Sequence, residues 1–139
     1  MPLALKLQLL ATLYMTGLIW FVQLVHYPMF AEVAAGDFPR YEAVHNTRTS
    51  WAVMPAMLIE LAVVLYLVFA PASPWSRPMA STGLALLVLI WLSTFLLQVP
   101  CHTRLMEGFD ADVHRKLVLT NWVRTVAWSL RAALVLRML

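Results

Sequence analysis

Apolar residues run along the chain in four long stretches separated by polar ones. They extend from about Leu5 to His26, Trp51 to Ala70, Met79 to Val99 and Leu117 to Met138. A helix needs roughly 20 mostly apolar residues to cross about 30 Å of hydrocarbon, so each stretch predicts a membrane-spanning helix. Prolines supply the stops, because proline cannot continue a helix and restricts the residue before it. Tyr27-Pro28 closes the first span, Pro71-Ala72-Ser73-Pro74 the second and Pro100 the third. Pro55 falls near the start of the second span, where a first-turn position or a kink accommodates it. The links are unequal: residues 71–78 make a short turn, whereas 28–50 and 101–116 are longer and polar. Alternating directions place both long links on one face and the termini with the short turn on the other. The expected fold is all-α, an integral membrane four-helix up-down bundle forming a single domain over residues 1–139.

Composition strengthens the lipid reading. The chain is 62% hydrophobic and 12% charged, whereas a soluble domain carries about 25% charged residues. A net charge of +3 would point to nucleic acid on a soluble chain. Here the basic residues flank apolar runs and read as headgroup contacts, so the lipid bilayer is the expected partner and nucleic acid is not. Lys6 is the only basic residue before Trp20, and no small-x-small cleavage site interrupts the apolar run. That predicts a retained first helix rather than a removed leader. The expected location is a bacterial inner membrane. Basic residues divide almost evenly between the two faces, which gives only a lean towards cytoplasmic termini. The single cysteine, Cys101, excludes an intramolecular disulfide.

Polar residues inside the spans narrow the picture. All four histidines, His26, His45, His102 and His114, fall at the long-link end, one at or beside each helix. Interfacial contacts with headgroups and loop backbone explain them as well as a shared site does. At 100° per residue, Gln8, Thr12, Gln23 and His26 share a stripe of the first helix, and His45, Thr49 and Glu60 one of the second. Thr94, Gln98 and His102 align on the third, and His114, Asn121 and Thr125 on the fourth, with Arg124 beside them. Lipid penalises such faces, so they point inward and predict a polar-lined pocket opening at the histidine end. Hydrogen bonding between helices accounts for Thr, Gln and Asn equally well. Glu60 and Arg124 are costlier to bury. Glu60 lies in depth between Arg124 and Arg131, and an ion pair with either competes with a pocket-lining role.

Glu42 and His45 form a Glu-x-x-His unit, which di-iron bundles carry on two helices. One copy is present, with Asp110 and His114 a weaker echo. With His26, His102 and His114 nearby, these residues offer a ligand set for iron, copper or zinc. No glycine-rich phosphate loop, Ser-His-Asp order or Cys-x-x-Cys occurs.

The run Asn121-Trp122-Val123-Arg124-Thr125 resembles the Asn-x-x-Arg signature of the anthrone-oxygenase-like family of small four-helix membrane proteins. His26-Tyr27-Pro28-Met29-Phe30 is similar to the Pro-x-Phe exits of such proteins. The resemblance implies oxidation of a flat apolar molecule, with Asn121 and Arg124 lining the site. There is also a likeness to small membrane protoporphyrinogen oxidases, which implies haem. That comparison calls for a lysine inside the bundle, and neither Lys6 nor Lys116 clearly supplies one.

Three functions follow as expectations. The first is a membrane oxidoreductase acting on an apolar small molecule, with Arg124, Asn121 and Glu60 in its site and the histidines binding metal or moving protons. The second is an accessory subunit of a larger membrane complex, or a homo-oligomer. The third is a small-solute or proton transporter.

Overall fold

The computed structural model describes residues 2–70 and 77–137. The Pro71–Pro74 stop and the end of the fourth span at Met138 lie outside the described residues. Helix α1 covers Leu3–Phe21 and continues through a π turn, Val22–His26, and a 3₁₀ segment, Pro28–Glu32. Helix α2 is Phe38–Phe69. Helix α3, Arg77–Ser93, passes through a second π turn, Thr94–Gln98, into α4, Val99–Leu105. Helix α5 is Ala111–Leu136. The fold is all-helical, with four helical rods. Among the described residues three are long and apolar enough to cross a membrane: Leu3–Glu32, Phe38–Phe69 and Arg77–Leu105.

The prolines behave differently from simple stops. Pro28 opens the 3₁₀ segment, and Pro39 sits in the first turn of α2, where its missing N–H costs nothing. Helix α2 therefore starts at Phe38 rather than near Trp51. Its polar opening, Pro39 to Ser50, looks like a link because it lacks an apolar run, yet Phe38, Glu42 and His45 are buried. Pro100 does not end the third rod. It follows the π turn and takes a first-turn position in α4, so the rod runs on to Leu105. Pro55 lies inside α2, which leaves no first-turn role for it. Between α4 and α5, Gly108 takes φ +150°, a backbone that glycine tolerates. Asp110 then caps α5 by accepting from the Asp112 and Val113 amides, both at 3.0 Å.

The rods pack in a ring, α1 on α2, α2 on α3, α3 on α5 and α5 on α1. Met15, Ile19, Phe30, Met57, Leu87, Ile90 and Trp128 form the main core. Polar residues are buried beside them, including Gln8, Thr12, Gln23, Gln98, Asn121, Arg124, Thr125 and Arg131. Leu10, Leu24, Phe69, Phe95, Leu96 and Leu119 point outward. Buried polar groups together with so many large apolar side chains outside depart from the arrangement of a water-soluble domain. Helix α5 is the most polar rod, but Asn121, Arg124, Thr125 and Arg131 all face inward, and its exposed face carries Leu119, Trp122, Val126 and Leu130.

Candidate metal centre and adjoining cavity

The four histidines converge on one phenylalanine. Phe30 is fully buried, and its ring centroid lies 5.3 Å from that of His26, 5.1 Å from His45, 6.3 Å from His102 and 6.2 Å from His114. The rods make this possible because His26 ends the first π turn and His102 follows the second. Each wide turn advances the helical phase by one residue, about 100°.

Within the cluster the histidines play different parts. Glu42, His45 and His102 bring one ligand atom each within 4.8 Å of one another. His102 Nδ1 is hydrogen-bonded to Glu42 Oε1, and His102 Nε2 lies 2.9 Å from the Tyr27 hydroxyl. His45 Nδ1 lies 2.9 Å from His26 Nε2 and 3.1 Å from the Thr49 hydroxyl. His26 is thus one hydrogen bond outside the three-residue group. His114 is set apart: its Nε2–H donates to the Tyr27 carbonyl at 2.7 Å, which makes it a strut between α5 and the first rod. Asp110, the expected echo beside it, is occupied as the helix cap. Cys101 is buried and outside the group.

Electrostatics single out Glu42. It is fully buried, and its ion-pair partner is His102 rather than any lysine or arginine. Its second oxygen, Oε2, is buried with no hydrogen-bond partner among the described residues. A carboxylate without compensation costs several kcal/mol to bury, so it keeps its charge only with a cation beside it, and a metal ion on the same donor set would supply one. The rings of His26 and His45 are 4.8 Å apart and those of His45 and His102 5.2 Å apart. With Phe30 packed against them, no macrocycle fits between these rings, whereas the donor set of Glu42, His45 and His102 suits a bare ion.

A cavity of about 280 Å³ adjoins the cluster, with Tyr27, His45 and His102 in its wall. Trp91, Gln98 and Arg124 also line it. The Arg124 guanidinium lies 5.4 Å from the centre of the Trp128 ring and beside the Tyr27 hydroxyl.

The remaining expected site residues go elsewhere. Asn121 donates to Gln23 Oε1 at 2.9 Å, a helix-to-helix bond away from the cavity wall. Glu60 accepts from Thr12 at 2.7 Å, from Trp128 at 2.9 Å and from Arg131 at 3.1 and 3.2 Å, so its oxygens are fully engaged in a structural knot. Depth along the helices left Arg124 and Arg131 equal as partners, and helix rotation chose Arg131. Tyr27 and Trp91 join the site without having been expected there. Tyr27 reads in the sequence as part of a stop, and its only signal is a phenol placed next to His26.

No protein-family model, curated protein or solved structure matches the chain. The anthrone-oxygenase-like resemblance thus rests on its own residues, and of Asn121 and Arg124 only Arg124 reaches the cavity.

Proposed function

We propose that this chain is a four-span up-down membrane bundle that holds a transition-metal ion on Glu42, His45 and His102 and serves as an oxidoreductase. The observation that carries the reading is the buried Glu42 carboxylate, set among histidines with one oxygen unpartnered. Two imidazoles and one carboxylate are the ligand set of non-haem iron oxygenases and of catalytic zinc sites, both of which keep positions open. The adjoining cavity would seat a lipid-soluble substrate beside those positions. With iron, the reaction class is a two-electron oxidation: the substrate gives up two electrons and two protons, and dioxygen leaves as hydrogen peroxide. Transport is the poorer fit, because Glu60, Trp128 and Arg131 fill the bundle interior.

Metal analysis of the detergent-purified protein tests the reading. One iron, zinc or copper per chain is expected, with the iron(II) form giving a high-spin nitrosyl signal on adding nitric oxide. Protein that stays metal-free after incubation with each ion would remove it. Tyr27→Phe probes the outer shell. Ligating histidines hold their second nitrogen on a partner, and losing that partner costs about 10–100-fold in metal affinity. The Tyr27 hydroxyl is that partner for His102, so a competition titration with a chelator is expected to show a loss in this range for Tyr27→Phe and none for Tyr14→Phe.

A further inference from the structure

We infer that the cavity beside the histidine cluster binds an apolar molecule by a single acidic oxygen, held between Arg124 and Trp91 and entering sideways from the lipid. The inference deepens the proposed enzyme reading, and rests on it for the identity of the ligand as a substrate.

Arg124 is the anchor. It is only 7% exposed and lines the cavity. The buried arginine elsewhere in the bundle, Arg131, is neutralised by Glu60. Arg124 makes no ion pair with a carboxylate among the described residues, and its Nε has no hydrogen-bond partner. Its neighbours are the Trp128 ring and a phenol, which share a positive charge without cancelling it. Burying an uncompensated guanidinium is expensive, so a compensating anion is expected from the ligand.

The second observation concerns another residue that lines the cavity. Trp91 Nε1 is also buried and unpartnered among the described residues, and Trp91 lines the same cavity. A buried N–H with no acceptor costs about 1–3 kcal/mol, and indole can only donate. Both orphan donors belong to residues of the cavity wall, and each calls for an acceptor oxygen. The rest of the lining includes Met57 and Val53, which suit an apolar body.

The mouth supplies the direction of entry. Met54, Phe95 and Val99 frame the cavity and are 39%, 57% and 44% exposed on the flank of the bundle. Ser50 is exposed at the same cavity, and the apolar stretch of the opening is the part that would meet hydrocarbon. About 280 Å³ is at the small end of ligand pockets. It holds a compact molecule, or the head of a longer one whose tail leaves through the mouth. A fatty-acid carboxylate and an acidic phenol share the required chemistry.

The experiment compares laurate, an alkylphenol of equal length and dodecanol as ligands of the detergent-purified protein, by thermal shift at fixed micelle concentration. At least one of the two acids is expected to bind 10-fold or more tightly than dodecanol. Stronger binding of laurate identifies a carboxylate, and stronger binding of the alkylphenol identifies a phenol. Arg124→Gln is expected to abolish the advantage over dodecanol, while Arg124→Lys keeps part of it and Trp91→Phe weakens it several-fold. Equal binding of all three probes, or an advantage undiminished in both Arg124→Gln and Trp91→Phe, overturns the inference. Metal content is measured on the same samples. Arg124→Gln is expected to keep its metal, whereas an acid-selective cavity in a protein that binds no metal would count against the enzyme reading and leave the cavity assignment standing.

Discussion

Replacing Glu42 by glutamine is expected to raise the stability of the metal-free protein or leave it unchanged, and to abolish the stabilisation that metal confers. The two effects have opposite causes. Without an ion, the group beside the buried Glu42 carboxyl is the His102 imidazole, and no lysine or arginine among the described residues pairs with it. A neutral amide of the same shape removes the cost of burying a carboxyl group that no full counter-charge balances, so the metal-free protein loses no stability. With an ion bound, the carboxylate supplies the one negative charge in a ligand group otherwise made of imidazoles. At an ion concentration about 100 times the dissociation constant, wild type gains roughly 2.7 kcal/mol. A loss of about 100-fold in affinity would leave Glu42→Gln with roughly 0.4 kcal/mol under the same conditions. The measurement is the melting temperature with and without each metal. Equal metal-induced shifts in the two proteins would show that Glu42 is no ligand. His114→Ala serves as the control, since its imidazole braces the Tyr27 carbonyl outside the ligand group.

The second large effect lies at the other buried carboxylate. Glu60→Gln is expected to destabilise the protein by about 3–5 kcal/mol, because it leaves the Arg131 charge buried and uncompensated. Arg131 is 1% exposed and Glu60 fully buried. Glu60 also receives hydrogen bonds from Thr12 on α1 and Trp128 on α5, so it ties three helices together. Arg131 reaches further, donating to the Gly83 carbonyl on α3. Against a typical total of 5–15 kcal/mol, such a loss is severe. The double variant Glu60→Leu with Arg131→Met is expected to lose less than Glu60→Gln alone, since no charge remains inside. Unfolding in mixed detergent micelles measures both. A change under about 1 kcal/mol in Glu60→Gln would refute the structural role. Metal content should be untouched, which separates this knot from the histidine site.

Both carboxylates are visible in the sequence as costly groups in or beside an apolar setting, but their roles are not. Glu42 stands in a Glu-x-x-His unit, and that spacing correctly places Glu42 and His45 on one face of α2. Which histidine from another rod would join them could not be read. His102 comes from 60 residues beyond Glu42, and the π turn before it sets its direction. His114 shares the same end of the chain's layout yet spends its donor on backbone. Asn121 stands three residues before Arg124, one turn of helix away, but pairs with Gln23 while Arg124 lines the cavity. Tyr27 is not legible as a site residue because an aromatic residue beside a proline carries no distinguishing pattern.

By itself the sequence determined the apolar rods, the inward direction of the polar stripes and the gathering of histidines at one end. Those properties are local or additive: hydrocarbon rejects polar groups residue by residue, so length and periodicity suffice to read them. The tertiary structure alone decided the pairings: Glu60 with Arg131 and not Arg124, Glu42 with His102, and Tyr27 between His102 and Arg124. Pairing depends on the rotation and axial offset of one rod against another. A single π turn moves every later residue by about 100°, and neither spacing nor hydrophobicity along the chain records where such turns fall.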